Sequence, residues 1–160
     1  MIKPYLVYGL ESSLWGFGAE ASLHALRLIF SGLFDRFPRL KIILGHMGEG
    51  IPYWLWRLDN HQSHQGEWYE GADATGRVRK WQKAPSEYFK ENFLVTPTGM
   101  MWEPAFMLAY TALGADNIMF AVDYPFESGK VAVEFIDNVP IPDGDKAKIY
   151  YLNAERIFKL

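Results

Sequence analysis

Three apolar runs, each handing over to a helical pattern, constrain this chain more than any other feature. They read LKIILGH (residues 40–46), NFLVTPTG (92–99) and NIMFAVDYPF (117–126). Each is rich in Ile, Leu, Val or Phe and lacks the polar alternation of a half-solvated strand. Each therefore suits a strand covered on both faces. Between them the apolar residues recur at three- and four-residue spacing. Leu23, Leu26, Leu28, Ile29, Leu33 and Phe34 predict a helix over 19–37, and Pro38 ends it, having no amide donor and restricting its predecessor. Further helices are predicted over 50–62, with Pro52 in the first turn, and over 86–92, 103–115, 127–139 and 146–160. Residues 1–19 and 140–145 read as loop, and 65–84 as a polar, glycine-containing excursion. Strands alternating with helices predict parallel βα units and an α/β fold. Three strands are few for a parallel sheet that stands by itself.

The 160 residues fit one domain, 1–160. A net charge of −3 with no Lys/Arg run supplies no field for nucleic acid or an anionic membrane. Cysteine is absent, which removes disulfides and thiolate chemistry and agrees with a cytoplasmic setting. The opening residues do not read as a signal peptide. The longest uncharged apolar stretch, 104–115, is too short for a membrane span of about 20 residues.

In parallel βα architectures the functional groups gather at the carboxyl ends of the strands. Here the first run ends in Gly-His and continues Met-Gly-Glu, the second ends Thr-Pro-Thr-Gly, and the third ends Asp-Tyr-Pro-Phe. His46, Glu49 and Asp123 are thus candidates for one rim. Histidine transfers protons near neutral pH and ligates metals. A strand-end aspartate serves as acid, base or cation ligand. Glu49 follows His46 closely enough to orient its ring. Taken singly, each also has a structural reading: a hydrogen-bonded histidine, a carboxylate at a helix start, a turn aspartate. Trp15, Phe17, Tyr124 and Phe126 are candidates to line a site for a flat ligand, whereas Trp54, Trp56, Phe89 and Phe106 are expected in the core. His61 and His64 read as a solvated helix end, and His24 as a packed residue.

The stretch HALRLIFSGLFDRFPRLKIILGHMGEGIPYWLWRLDN resembles the amidohydrolase-related decarboxylases of hydroxylated aromatic acids, the γ-resorcylate and 2,3-dihydroxybenzoate decarboxylase group. The likeness continues through ENFLVTPTG, GADNIMFAVDYPFES and NAERIFKL, and weakens over 62–82. The pairing of GHMGE with DYPFE carries it; a lone GH or DYP would not. The resemblance implies a (β/α)8 TIM barrel, with these three strands as its sixth, seventh and eighth. It implies a divalent metal, zinc or manganese, at the rim of the complete enzyme, and a small aromatic carboxylate as substrate. Asp123 matches the metal-touching aspartate that delivers a proton to the ring. His46 and Glu49 match the pair beside it. Arg57 matches an arginine that reaches a neighbouring subunit's site, and Phe126 an aromatic packed on the substrate ring.

One departure from the family pattern is large. The first-strand Glu-x-His pair and the fifth-strand histidine have no counterpart in the sequence, so of four implied metal ligands only Asp123 is found. The chain reads as the carboxyl-terminal portion of such an enzyme, about its last three βα units. It is expected to associate with copies of itself or with a separate amino-terminal half, and the metal is expected to be weakly held or missing without them. The alternatives are another amidohydrolase-type hydrolase or hydratase, and a catalytically inert assembly module. An aminocarboxymuconate-type decarboxylase fits less well, because its matching segment reads closer to GGG-FP.

Overall fold

The computed structural model describes residues 3–64 and 81–160. Its centre is a short parallel pair, β1 (Ile42–Leu44) and β2 (Phe93–Val95), in the register Ile42 to Phe93, Ile43 to Leu94 and Leu44 to Val95. A single parallel bridge, Val95 to Ile118, adds the third run on the far side of β2. The spatial order therefore follows the chain order, as successive βα units laid side by side require.

The helices pack against this pair. A short α1 (Lys3–Leu6) lies in the region expected to be loop, and α2 (Gly16–Phe30) begins three residues earlier than the periodicity predicts. The predicted helix does not reach Phe37. It breaks at Gly32, whose φ of 75° suits a residue without a Cβ, and resumes as α3 (Leu33–Arg36), which buries Phe34. Then follow α4 (Ile51–Ser63) and α5 (Pro85–Asn92), both with proline in the first turn. α6 (Glu103–Leu113) ends at Gly114, near the predicted stop. α7 (Gly129–Asn138) is capped by Ser128, whose hydroxyl accepts the Val131 amide. The closing segment is helical in three joined pieces: α8 (Asp143–Ala147), a π-type stretch (Lys148–Leu152) and α9 (Asn153–Phe158). Most of the polar excursion predicted over 65–84 lies outside the described residues.

The third run is not a strand from 117 to 126. The Met119 amide donates to Val95 O at 2.9 Å, and the next amide, that of Phe120, donates to Ile149 O at 2.7 Å. The backbone thus leaves the sheet for the π-type stretch after one bridge. β1 also differs from expectation. Phe93, Leu94 and Val95 of β2 are buried, but Ile43 of β1 is 44% exposed. Among the described residues β1 pairs on one side only, and one of its faces, that of Ile43, meets solvent.

The core joins both strands to the helices. Phe89 stacks on Phe93 at 4.8 Å, Phe34 meets Phe93 edge-on at 5.4 Å, and Phe106 meets Phe135 at 5.7 Å. Such aromatic pairs add about 0.5–1.5 kcal/mol each beyond their area burial. Phe89 and Phe106 are core residues as expected, but Trp54 and Trp56 are not, being 49% and 76% exposed. α4 buries Ile51, Pro52 and Leu55, and the two tryptophans fall off that stripe. No helix among the described residues is long and apolar enough to cross a membrane.

Candidate active site

The polypeptide after β1 takes an uncommon path. Residues 46 to 50 all have positive φ: His46 49°, Met47 54°, Gly48 76°, Glu49 53° and Gly50 75°. Left-handed backbone costs an L-residue on the order of 1–2 kcal/mol, so tertiary contacts must hold such a run in place. Several do. The Met47 amide donates to Thr96 O at 2.8 Å, the His46 amide to Thr98 Oγ1 at 3.1 Å, and Gly48 N to Gly45 O at 2.8 Å. The Met47 side chain is buried. Gly48 packs so closely that a Cβ there would lie 3.0 Å from Val95 and 3.2 Å from both Phe89 and Pro52.

This turn makes His46 and Glu49 a pair. His46 Nδ1 lies 2.7 Å from Glu49 Oε1, and the Glu49 side chain is only 10% exposed. A carboxylate accepts, so Nδ1 carries the proton and Nε2 is left facing outward. His46 Nε2 stands 3.6 Å from Asp123 Oδ2, beyond direct hydrogen-bond range but close enough for electrostatic coupling. Asp123 also has positive φ, 76°. All three candidate acid–base residues therefore sit on left-handed backbone, which tends to cluster at functional sites.

The three open onto a cleft of about 1460 Å³. Trp15, Phe17, Trp54 and Phe126 are among the aromatics that line it, and Arg57 and His61 line it from α4. Tyr124 does not: it is 84% exposed and lies outside the lining. It precedes Pro125 through a cis peptide bond. Trp54, expected in the core, and His61, expected at a solvated helix end, are residues that sequence reasoning left out of the site. Their signal was available, because 54, 57 and 61 fall at three- and four-residue spacing on one helix face. Glu127 is a further unpredicted lining carboxylate.

Among the described residues no three His, Cys, Asp or Glu side chains converge on a point where a metal ion could be held. His46 Nδ1 is engaged by Glu49, and Asp123 offers one carboxylate, whereas protein metal sites of the zinc type take three or four protein ligands. The donor set does not by itself fit a divalent centre. What it does fit is proton transfer: a buried carboxylate orienting an imidazole, a second carboxylate facing the other ring nitrogen, and aromatic walls around both.

A chain whose short parallel strands alternate with helices, with ionisable side chains gathered at one end of them, falls in the class of parallel βα folds. More specifically, it belongs to the amidohydrolase family, whose model matches residues 4–160. It is 43% identical over 146 residues to γ-resorcylate decarboxylase from Polaromonas sp., a match covering 91% of this chain and 42% of that protein. The solved structure of 5-carboxyvanillate decarboxylase from Sphingomonas paucimobilis is 44% identical. It aligns with a TM-score of 0.90 over all of this chain and 46% of its own. A dihydroxybenzoic acid decarboxylase from Polaromonas sp. JS666, solved with manganese and the inhibitor 2-nitroresorcinol, aligns at 0.84 with 39% identity, covering 99% of this chain and 46% of its own. The chain thus spans less than half the length of the relatives it matches.

Proposed function

We propose that this chain carries the proton-transfer face of a carboxy-lyase active site that removes CO2, without redox chemistry, from a hydroxylated aromatic acid. The observation behind it is the meeting of His46, Glu49 and Asp123 in one aromatic-walled cleft. The relatives described above are decarboxylases of hydroxylated aromatic acids, which favours this reading over a hydrolase or hydratase. On the same reading, the three βα units correspond to the last three of an eight-stranded barrel. Manganese is bound in one of the relatives. A divalent ion in the complete enzyme would need ligands beyond the described residues, and no step below passes through it.

The chemistry assigned to this chain follows from the substrate. Expelling CO2 directly would leave an electron pair in a ring orbital that the π-system cannot delocalise. Protonating the carbon that bears the carboxylate avoids this. Asp123 delivers a proton to that carbon while an ortho oxygen of the substrate feeds electrons into the ring. The carbon–carbon bond then breaks, its electron pair restores aromaticity, and CO2 departs. Asp123, now a carboxylate, regains a proton from water through His46, whose orientation Glu49 holds. Phe126 and Trp15 pack on the ring, and Arg57 faces the substrate's anionic edge.

The test uses the chain completed to the length of its relatives. Incubated with 2,6-dihydroxybenzoate and manganese, it is expected to release CO2 and the corresponding resorcinol in equal amounts. Release of neither, from this or any other hydroxylated benzoate tried, would refute the reading.

A further inference from the structure

We infer that Thr98 is a positioning residue for the His46–Glu49 pair, with Gly18 as its steric counterpart on the opposite wall. This rests on the proton-transfer reading of that pair and names what holds it.

The Thr98 hydroxyl, 8% exposed, accepts the His46 amide at 3.1 Å and lies 3.1 Å from the hydroxyl of Thr96. The two hydroxyls share one hydrogen bond, and in either direction Thr98 Oγ1 keeps a lone pair for the His46 amide. A two-hydroxyl relay thus grips the first residue of the left-handed run, while the Thr96 carbonyl grips the second at 2.8 Å. The bond partners are 52 residues apart, so this contact is supplied by the tertiary fold and not by the turn itself. In this left-handed turn the Glu49 carboxylate reaches Nδ1 at 2.7 Å while Nε2 lies 3.6 Å from Asp123 Oδ2.

The pair is also confined from two sides by glycines. A Cβ on Gly99, next to Thr98, would lie 3.0 Å from the His46 ring, so this residue leaves room for the imidazole. A Cβ on Gly18 of α2 would lie 2.7 Å from Glu49 Oε2. Glu49 thus lies between the imidazole and a helix position where an added methyl group would displace its carboxylate. Thr98 sets the backbone and Gly18 sets the carboxylate; together they select the Nδ1–H tautomer of His46.

The test is a side-chain 15N–1H measurement on the 160-residue chain, whose four histidines can be assigned one by one. In the unaltered chain His46 is expected to show a protected Nδ1–H and a bare Nε2. Thr98→Val is expected to raise the Nε2–H tautomer several-fold and to speed exchange of the Nδ1 proton at least tenfold, whereas Thr98→Ser restores the original pattern. Gly18→Ala, far from Thr98 in sequence, is expected to give the same tautomer shift. If Thr98→Val does not fold, Gly18→Ala decides. A folded Thr98→Val, or in its absence a folded Gly18→Ala, with the His46 pattern unchanged overturns the inference. The readout involves no turnover, so a chain with the expected pattern but no decarboxylation would refute the proposed function and leave this assignment standing.

Discussion

The two ends of the small sheet are built by opposite means. At the amino end, asparagine amides tie down carbonyls. Asn92 donates to Pro38 O and Leu40 O at 3.0 and 2.9 Å, just ahead of β1. Asn153 donates to Ala115 O and Ile118 O, both at 2.8 Å, where the third run joins. Asn117 donates to Lys90 O and Leu113 O. Asn92 and Asn153 are buried. At the carboxyl end the buried polar groups are the hydroxyls of Thr96 and Thr98, and the backbone around them runs through positive φ at His46, Met47, Glu49 and Asp123. One end uses polar groups to satisfy the chain and hold it together. The other uses them to hold a strained turn that presents acid–base groups to an open cleft. On the proposed function, stability and chemistry are separated along the strand direction, as in parallel βα folds generally.

That separation predicts different outcomes for substitutions at the two ends. The largest effect is expected from Asp123→Asn in the chain completed to its relatives' length. Losing a proton donor costs about 10²–10⁴-fold in turnover, while the urea midpoint of the variant stays near the original. Retained activity would remove Asp123 from the donor role. At the amino end, Asn153→Ala removes the side-chain donor to Ile118 O and to Ala115 O, the latter still accepting the Ile118 amide, and is expected to cost about 1–3 kcal/mol by urea unfolding. If it instead spared stability and impaired turnover, the division between the ends would fail.

Smaller effects sharpen the comparison. Gly48→Ala forces a Cβ into left-handed backbone against Val95, Phe89 and Pro52, and is expected to cost about 1–3 kcal/mol, measurable as a lowered melting temperature. A pH effect is expected away from both ends. Burial, and then a 2.8 Å hydrogen bond to Asp137, push the Tyr150 hydroxyl up to about 12 from 10.0. The folded chain favours the neutral phenol. This contribution is therefore complete below pH 10 and is lost as the pH rises to about 12. Urea midpoints taken across that range should fall, and Tyr150→Phe should flatten the fall. The smallest effect is expected from Phe126→Ala, since the ring is 85% exposed. Stability should change by no more than about 0.5 kcal/mol, with the loss appearing in substrate KM instead.

Parts of this molecule were legible before any coordinates. The periodicity of residues 103–113 names a helix and its stop at Gly114, and the apolar runs name β1 and β2. The strand-end letters His46, Glu49 and Asp123 name the groups that meet. Trp54 and Trp56 leave the core because α4 packs through Ile51, Pro52 and Leu55; Trp54 then faces the cleft and Trp56 solvent, a choice their aromatic character does not announce. The third strand was overextended because the letters NIMFAVDYPF favour a strand whether or not a partner is present. In the fold, the Phe120 amide finds Ile149 instead.

By itself the amino-acid order determined most of the helical segments, the apolar runs, and which ionisable residues stand where those runs end. These follow from side-chain spacing and from the limits of proline and glycine, all of which act between near neighbours. The handedness of the turn at 46–50 was decided by tertiary structure alone. His, Met and Glu disfavour positive φ, and the contacts that impose it come from Thr96 and Thr98, some fifty positions away. The same holds for the approach of His46 to Asp123, which exists because β1 and the third run are held on either side of β2.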